Sequence, residues 1–270
     1  MLRNTFALLI ALILATAPLR AETVVAGLSQ ADVLITADFD GSNILIFGAV
    51  RRDAPPPEGA PLEVVITVQG PPRPVTVRRK ERRLGIWVNT EAVEITRAPS
   101  FYAIAATGPI DAVLSPEEDR RFRVTIPRAI GPAAPLAPGQ SGSIHPAIGQ
   151  PAQTDEAQAF IDAMIRIRTG SGAYQATPGG VGFEEATLFR SEFALPANLT
   201  EGLYRSRIFL TRDGEVVDVL VKDISVRKVG LERWLYHLSR REPLIYGLLS
   251  VALAVLAGWG ASSAFRYLRS

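Results

Sequence analysis

The 270-residue chain is 47% hydrophobic and 21% charged, contains no cysteine and carries a formal charge of +2. That balance fits a globular protein with membrane segments and excludes a disordered one, while the missing cysteines exclude disulfide frameworks, thiolate metal sites and cysteine nucleophiles. Nucleic acid is a poor partner, because Arg3 and Arg20 supply the whole +2 and residues 22–239 hold 23 basic and 26 acidic side chains, in spite of a pI of about 9.1.

At the N-terminus, Arg3 is followed by an apolar run, TFALLIALILATA, that stops at Pro18. At roughly 1.5 Å per residue this run is too short for a hydrocarbon core of about 30 Å. A charged start, a short apolar stretch and small residues near Ala21 predict a signal peptide over residues 1–21. Cleavage after Ala21 and after Ala17 are both open.

From residue 22 to 126 the pattern is short β-like runs between turn residues, the signature of an antiparallel, immunoglobulin-like β-sandwich lobe. DVLITADF and SNILIFGAV flank Asp40-Gly41, which predicts a hairpin. PLEVVITVQG follows a proline-rich loop; PVTVRR and RLGIWVN then flank a turn expected around Lys80-Glu81, and FYAIAAT comes after them. Residues 127–153 carry six prolines with Gly, Ala, Ser and Gln and predict a linker.

Thr154 is placed to cap a helix of about 15 residues. Ala157, Phe160, Ile161, Met164 and Ile165 lie on one stripe of it. Three strands follow: EEATLFRSEFAL, LYRSRIFLT and EVVDVLVKDISV, the last two joined by Arg212-Asp213-Gly214. Residues 154–229 either form a second small lobe, the reading preferred here, or complete the first sandwich.

Residues 230–242 predict a juxtamembrane helix at an outer interface. Residues 243–265 follow without a charge between Glu242 and Arg266. At about 1.5 Å per residue they span about 34 Å, a transmembrane length. Trp234, Tyr236 and Tyr246 flank one end and Trp259, Phe265 and Tyr267 the other, as headgroup boundaries favour. With the N-terminal signal, the strands are expected on the exported side and the tail 266–270 in the cytoplasm. Ser250, Ala254, Gly258 and Ser262 recur every four residues, a ridge that lets two helix backbones approach in lipid. That ridge is the candidate contact for a second membrane protein or for self-association.

Arg78, Arg79, Lys80, Arg82 and Arg83 crowd one hairpin and are the candidate anion-binding residues. The plainer alternative is a solvated turn whose charges discourage edge pairing. Asp38-Phe39-Asp40-Gly41-Ser42-Asn43 lacks the spacing of a calcium loop and reads as a turn. His145 and His237, the acidic run Glu117-Glu118-Asp119 and the stretch Pro178–Gly182 do not gather into a catalytic, metal or phosphate constellation, so no enzyme and no cofactor are expected.

DFDGSNILIFGA, the IWVN segment at 86–89, the run from Leu195 to Tyr204 and a C-terminal span come in an order that resembles the Alph_Pro_TM family, transmembrane proteins of alphaproteobacteria. The low lysine usage, three of 29 basic residues, also fits a high-GC bacterial genome. The signal peptide and the span together give the expectation of a single-pass protein of the bacterial inner membrane with a periplasmic ectodomain, and the resemblance implies a family without an assigned activity. It further implies genes near permeases resembling the TauE/SafE exporters, and carries over no functional residue. The leading expectation is a non-enzymatic accessory to such a membrane partner. The alternative is a membrane-anchored periplasmic binding module for an anionic ligand or polymer.

Overall fold

The structure, a computed structural model, describes residues 22–36, 38–52, 59–135, 155–229 and 238–268. In chain order the elements are β1 (Glu22–Leu28), β2 (Asp32–Ile35), β3 (Gly41–Arg52), β4 (Glu63–Gln69), β5 (Pro72–Arg83), β6 (Ile86–Pro99) and β7 (Tyr102–Ala106). The short helices α1 (Ile110–Val113), α2 (Pro116–Phe122) and α3 (Ile126–Ala129) come next, then β8 (Ala133–Pro135) and α4 (Asp155–Gly170). The chain continues through β9 (Tyr174–Pro178), β10 (Gly182–Glu184), β11 (Leu188–Pro196), β12 (Gly202–Arg212), β13 (Glu215–Lys228) and α5 (Pro243–Leu268). The protein is mostly β with one long apolar C-terminal helix.

Three sheets form, ordered β1-β3-β11-β10, β2-β13-β12-β4-β7-β9 and β5-β6-β8. Strands from both sides of residues 136–154 share the first two: β11 pairs with β3, Phe193 opposite Ile44, and β12 with β4, Ile208 opposite Ile66. The described residues of Asp40–Val226, with those up to Val33, accordingly cluster as one compact unit and not as the two lobes preferred from the sequence. The reason is strand pairing: β11 and β12 find partners in β3 and β4, which precede residues 136–154 in the chain. Leu34–Phe39 and Arg227–Ser270 cluster as the second unit, which holds α5.

The alternation read from β12 is the core pattern of the large sheet. Tyr204, Ser206, Ile208 and Leu210 are all buried, and the tight turn Asp213-Gly214 joins β12 to β13, both residues with positive φ. On the opposite face of that sheet Val65, Tyr102, Ile104 and Phe209 pack with Val113, Leu114, Val124, Phe160 and Met164. A buried side chain such as Phe209 contributes about 1.5–3 kcal/mol, and its ring meets Phe122 edge-on at 5.6 Å. The helical stripe behaves as expected: Ala157, Phe160 and Met164 of α4 enter this core, with Ile161 and Ile165 half-buried beside them.

Three expectations need correction. Asp40-Gly41 does not turn a hairpin: β2 lies beside β13 in the six-stranded sheet, whereas β3 pairs with β1 and β11. Glycine is needed at 41 for another reason, because φ is 125° and a Cβ would lie 2.8 Å from the Leu195 carbonyl oxygen. The hairpin of β5 and β6 turns at Leu84-Gly85, not around Lys80-Glu81, so all five basic residues sit on β5. Part of the expected linker is also structured, since α3 occupies Ile126–Ala129 and β8 pairs with β6 through Ala133 opposite Ile95.

Most pairs are antiparallel, but β7 and β9 run parallel, Tyr102 opposite Tyr174. A parallel pair needs a long connection, and here it carries α1 to α4. Thr154, the linker beyond Pro135, the signal segment and most of the juxtamembrane stretch lie outside the described residues; residues 238–241 are helical.

Candidate functional site

The basic hairpin is a ribbon whose base is held and whose end is free. Val93 and Ile95 of β6 are in the core and Val75 and Val77 of β5 pack against it. Beyond Val77 the side chains of β5 are mostly exposed. Arg79 reaches Glu91 across the pair at 2.7 Å, and its guanidinium lies 5.1 Å from the Phe160 ring centroid. Arg83 pairs with Glu81 at 3.3 Å. Among the described residues, Arg78, Lys80 and Arg82 make no ion pair. The turn residues Leu84 and Gly85 have φ of 51° and 87°, the left-handed pair of a type I′ turn. At this end Leu84 is fully exposed, Ile86 is 65% and Trp87 68% exposed. Sequence reasoning named the cations and missed the apolar tip, because a turn around Lys80-Glu81 puts Ile86 and Trp87 along a strand and not at its end.

The ridge residues Ser250, Ala254, Gly258 and Ser262 fall on α5 one turn apart and are exposed. The Ser250 hydroxyl donates to the Tyr246 carbonyl at 2.9 Å, so its polarity is satisfied within the helix. The window Pro243–Ser262 has a mean hydropathy of 1.9, and none of it is buried among the described residues.

Two cavities were not foreseen. On the outward face of the four-stranded sheet, Val25, Phe47 and Leu188 are exposed around a cleft of about 640 Å³. The Phe47 ring lies over Gly27, where a Cβ would come within 3.0 Å of it. A second cavity, of about 130 Å³, is lined by Gln69, Arg97, Arg123 and Arg207 together with Phe122 and Gly131. At about 30 Å³ per water it has room for roughly four waters.

Arg207 is fixed by donating to the carbonyls of Phe122 at 2.6 Å and Arg123 at 3.0 Å and to the Tyr102 hydroxyl at 3.3 Å. Its Nε is buried without a partner among the described residues. Burial pushes the Tyr102 phenol up, and the Arg207 charge opposes that shift. Arg97 and Arg123 make no ion pair among the described residues. These three arginines come from β6, the end of α2 and β12, a convergence that no local spacing announces.

The acidic run is structural. Ser115 Oγ caps α2 by accepting from the Glu118 N–H, and Glu118 pairs with Arg121 at 3.3 Å and accepts from the Val216 N–H. The Asp119 carboxylate accepts from the Val124 and Thr125 N–H groups at 3.1 and 2.7 Å and from the Thr125 hydroxyl at 2.7 Å. Pro178–Gly182 forms the bend between β9 and β10, where Ser191 Oγ donates to the Gly180 carbonyl. His145 and His237 lie outside the described residues.

A family model described as "Putative transmembrane protein (Alph_Pro_TM)" matches residues 23–267. No curated protein matches the sequence.

Proposed function

We propose, on the premise that this chain belongs to the Alph_Pro_TM family, that it works as a non-enzymatic accessory subunit. In this reading α5 anchors it in a bacterial inner membrane, with its β unit on the exported side, and it docks on a second membrane protein. The observation that carries the reading is α5, a helix of spanning length and apolar composition, exposed among the described residues and with four small residues in one row. In lipid such a row favours close packing against another helix, since there is no hydrophobic gain in simply leaving water. A permease resembling the TauE/SafE exporters is the partner the family resemblance implies. A non-catalytic role is supported by the way Glu118 and Asp119 are spent on capping and loop closure.

The test is crosslinking of the full chain in its native membranes, followed by mass spectrometry. Gly258→Leu, which fills the ridge without adding polarity, is expected to lower the yield of the crosslinked membrane partner at least fivefold. Unchanged crosslinking would overturn docking through this face. Crosslinks only between copies of the chain would replace the partner with self-association.

A second reading, an anchored binding module for an anionic ligand, is favoured by the cavity of Arg97, Arg123 and Arg207. A small oxyanion there would meet charge-assisted donors and give the buried Nε of Arg207 a partner. Sulfate near one hundred times its Kd stabilises by about 2.7 kcal/mol, which raises the melting temperature by roughly 5–10 °C. Arg97→Ala with Arg123→Ala is expected to abolish a saturable shift while leaving the structural bonds of Arg207 in place. A shift that grows without saturating, and survives the double substitution, is the general effect of an excluded salt and would remove this reading.

A further inference from the structure

We propose that the tip of the β5–β6 hairpin inserts into the headgroup layer of an anionic bilayer, a second and peripheral membrane contact beside α5. Residues 78–91 carry five basic and two acidic side chains, a net +3, whereas the remainder of 22–239 is near −6. A net positive charge therefore stands on this one exposed ribbon, within a region that is otherwise net negative. At its end stand three large apolar side chains, Leu84, Ile86 and Trp87, that are largely exposed among the described residues. Leu84 takes the first position of the turn, where a left-handed residue is required and Asn, Asp or Gly is favoured over leucine. Local turn chemistry does not explain a leucine there, and an apolar surrounding does.

The arrangement suits lipid better than a protein pocket. Arg82 is cross-strand partner to Trp87, and Arg83 to Ile86. Consecutive pairs point to opposite faces of a ribbon, so both faces carry an apolar residue beside a cation. A two-sided knob of this kind matches a medium that is alike on every side. Tryptophan favours the headgroup level, aliphatic tips favour the acyl boundary below it, and basic side chains favour anionic lipid. The chain also carries its own membrane helix, which keeps a bilayer at high effective concentration.

The native sequence has no cysteine, so a single introduced one can be labelled cleanly. The full chain would be reconstituted as Leu84→Cys, and separately as Ile86→Cys with Leu84 intact, each labelled with an environment-sensitive nitrobenzoxadiazole. In phosphatidylcholine vesicles containing phosphatidylglycerol, both labels are expected to shift to the blue. Lipids brominated high on the acyl chain should quench them. In pure phosphatidylcholine, or after Lys80→Glu with Arg82→Glu, quenching is expected to fall at least fivefold. A label that keeps its aqueous emission in the anionic vesicles, while the chain still floats with them, overturns the proposal without touching the assignment of α5. An apolar signal seen only in native membranes, and not in pure lipid, would assign the tip to a protein and overturn it equally.

Discussion

Replacing Glu22 by alanine is expected to destabilise the β unit by about 3–5 kcal/mol, enough to unfold many domains. Glu22 is only 2% exposed, and its carboxylate meets Arg52 Nε at 3.0 Å and Arg212 Nη2 at 2.9 Å. Both arginine side chains are 18% exposed. They are committed elsewhere as well: Arg52 also donates to the Thr187 hydroxyl and the Ala186 carbonyl, and Arg212 Nε donates to the Ala60 carbonyl. One carboxylate thus ties the first strand to the end of β3 and the end of β12, which belong to different sheets. Alanine removes the anion and leaves two cations in a poorly hydrated place. That cost exceeds the modest net value of an intact buried pair. Glu22→Gln keeps acceptor capacity without the charge and should fall between the two. Urea denaturation of the full chain in detergent, followed by far-ultraviolet circular dichroism, reads the difference. A loss below about 1 kcal/mol would mean that water reaches these groups as it does a surface pair.

That cluster was invisible in the sequence because its members stand far apart in the chain, and the same reason explains the other misses. Periodicity reported faces well: the alternation at Tyr204, Ser206, Ile208 and Leu210 and the stripe from Ala157 to Met164 are core in the structure. Turn chemistry was right where the local sequence decides, at Asp213-Gly214, and wrong where tertiary pairing decides. Asp40-Gly41 has a hairpin's composition, yet β2 and β3 go to separate sheets. Leu84-Gly85 was passed over because leucine is a poor candidate for positive φ. The division at the proline-rich segment failed because β11 and β12 complete sheets begun by β3 and β4.

The candidate sites were half legible. Five cations in six residues are obvious on a line of text, and the ridge of α5 follows from counting by four. The apolar tip emerges only once the ribbon is seen to leave the core behind. The cavity at Arg97, Arg123 and Arg207 required three elements to converge, with Gly131 close against Arg97: a Cβ on it would lie 2.8 Å from the arginine's own.

The proposed accessory role requires α5 to lie in lipid, and substitution of two central residues by arginine tests this with a larger expected effect than any other change. Leu253 and Val255 sit in the middle of the window Pro243–Ser262, and both are exposed among the described residues. An aliphatic residue at a helix centre favours insertion by about 0.3–0.6 kcal/mol, and arginine opposes it by about 2.5–3.5. The pair Leu253→Arg with Val255→Arg therefore shifts insertion by roughly 6–8 kcal/mol. Alkaline carbonate extraction of membranes is the measurement, with the unsubstituted chain and the double variant side by side. The unsubstituted chain is predicted to stay in the membrane pellet and the variant to move to the supernatant. An unsubstituted chain that washes off, or a variant retained as firmly as its parent, would contradict the assignment of α5 as a membrane span.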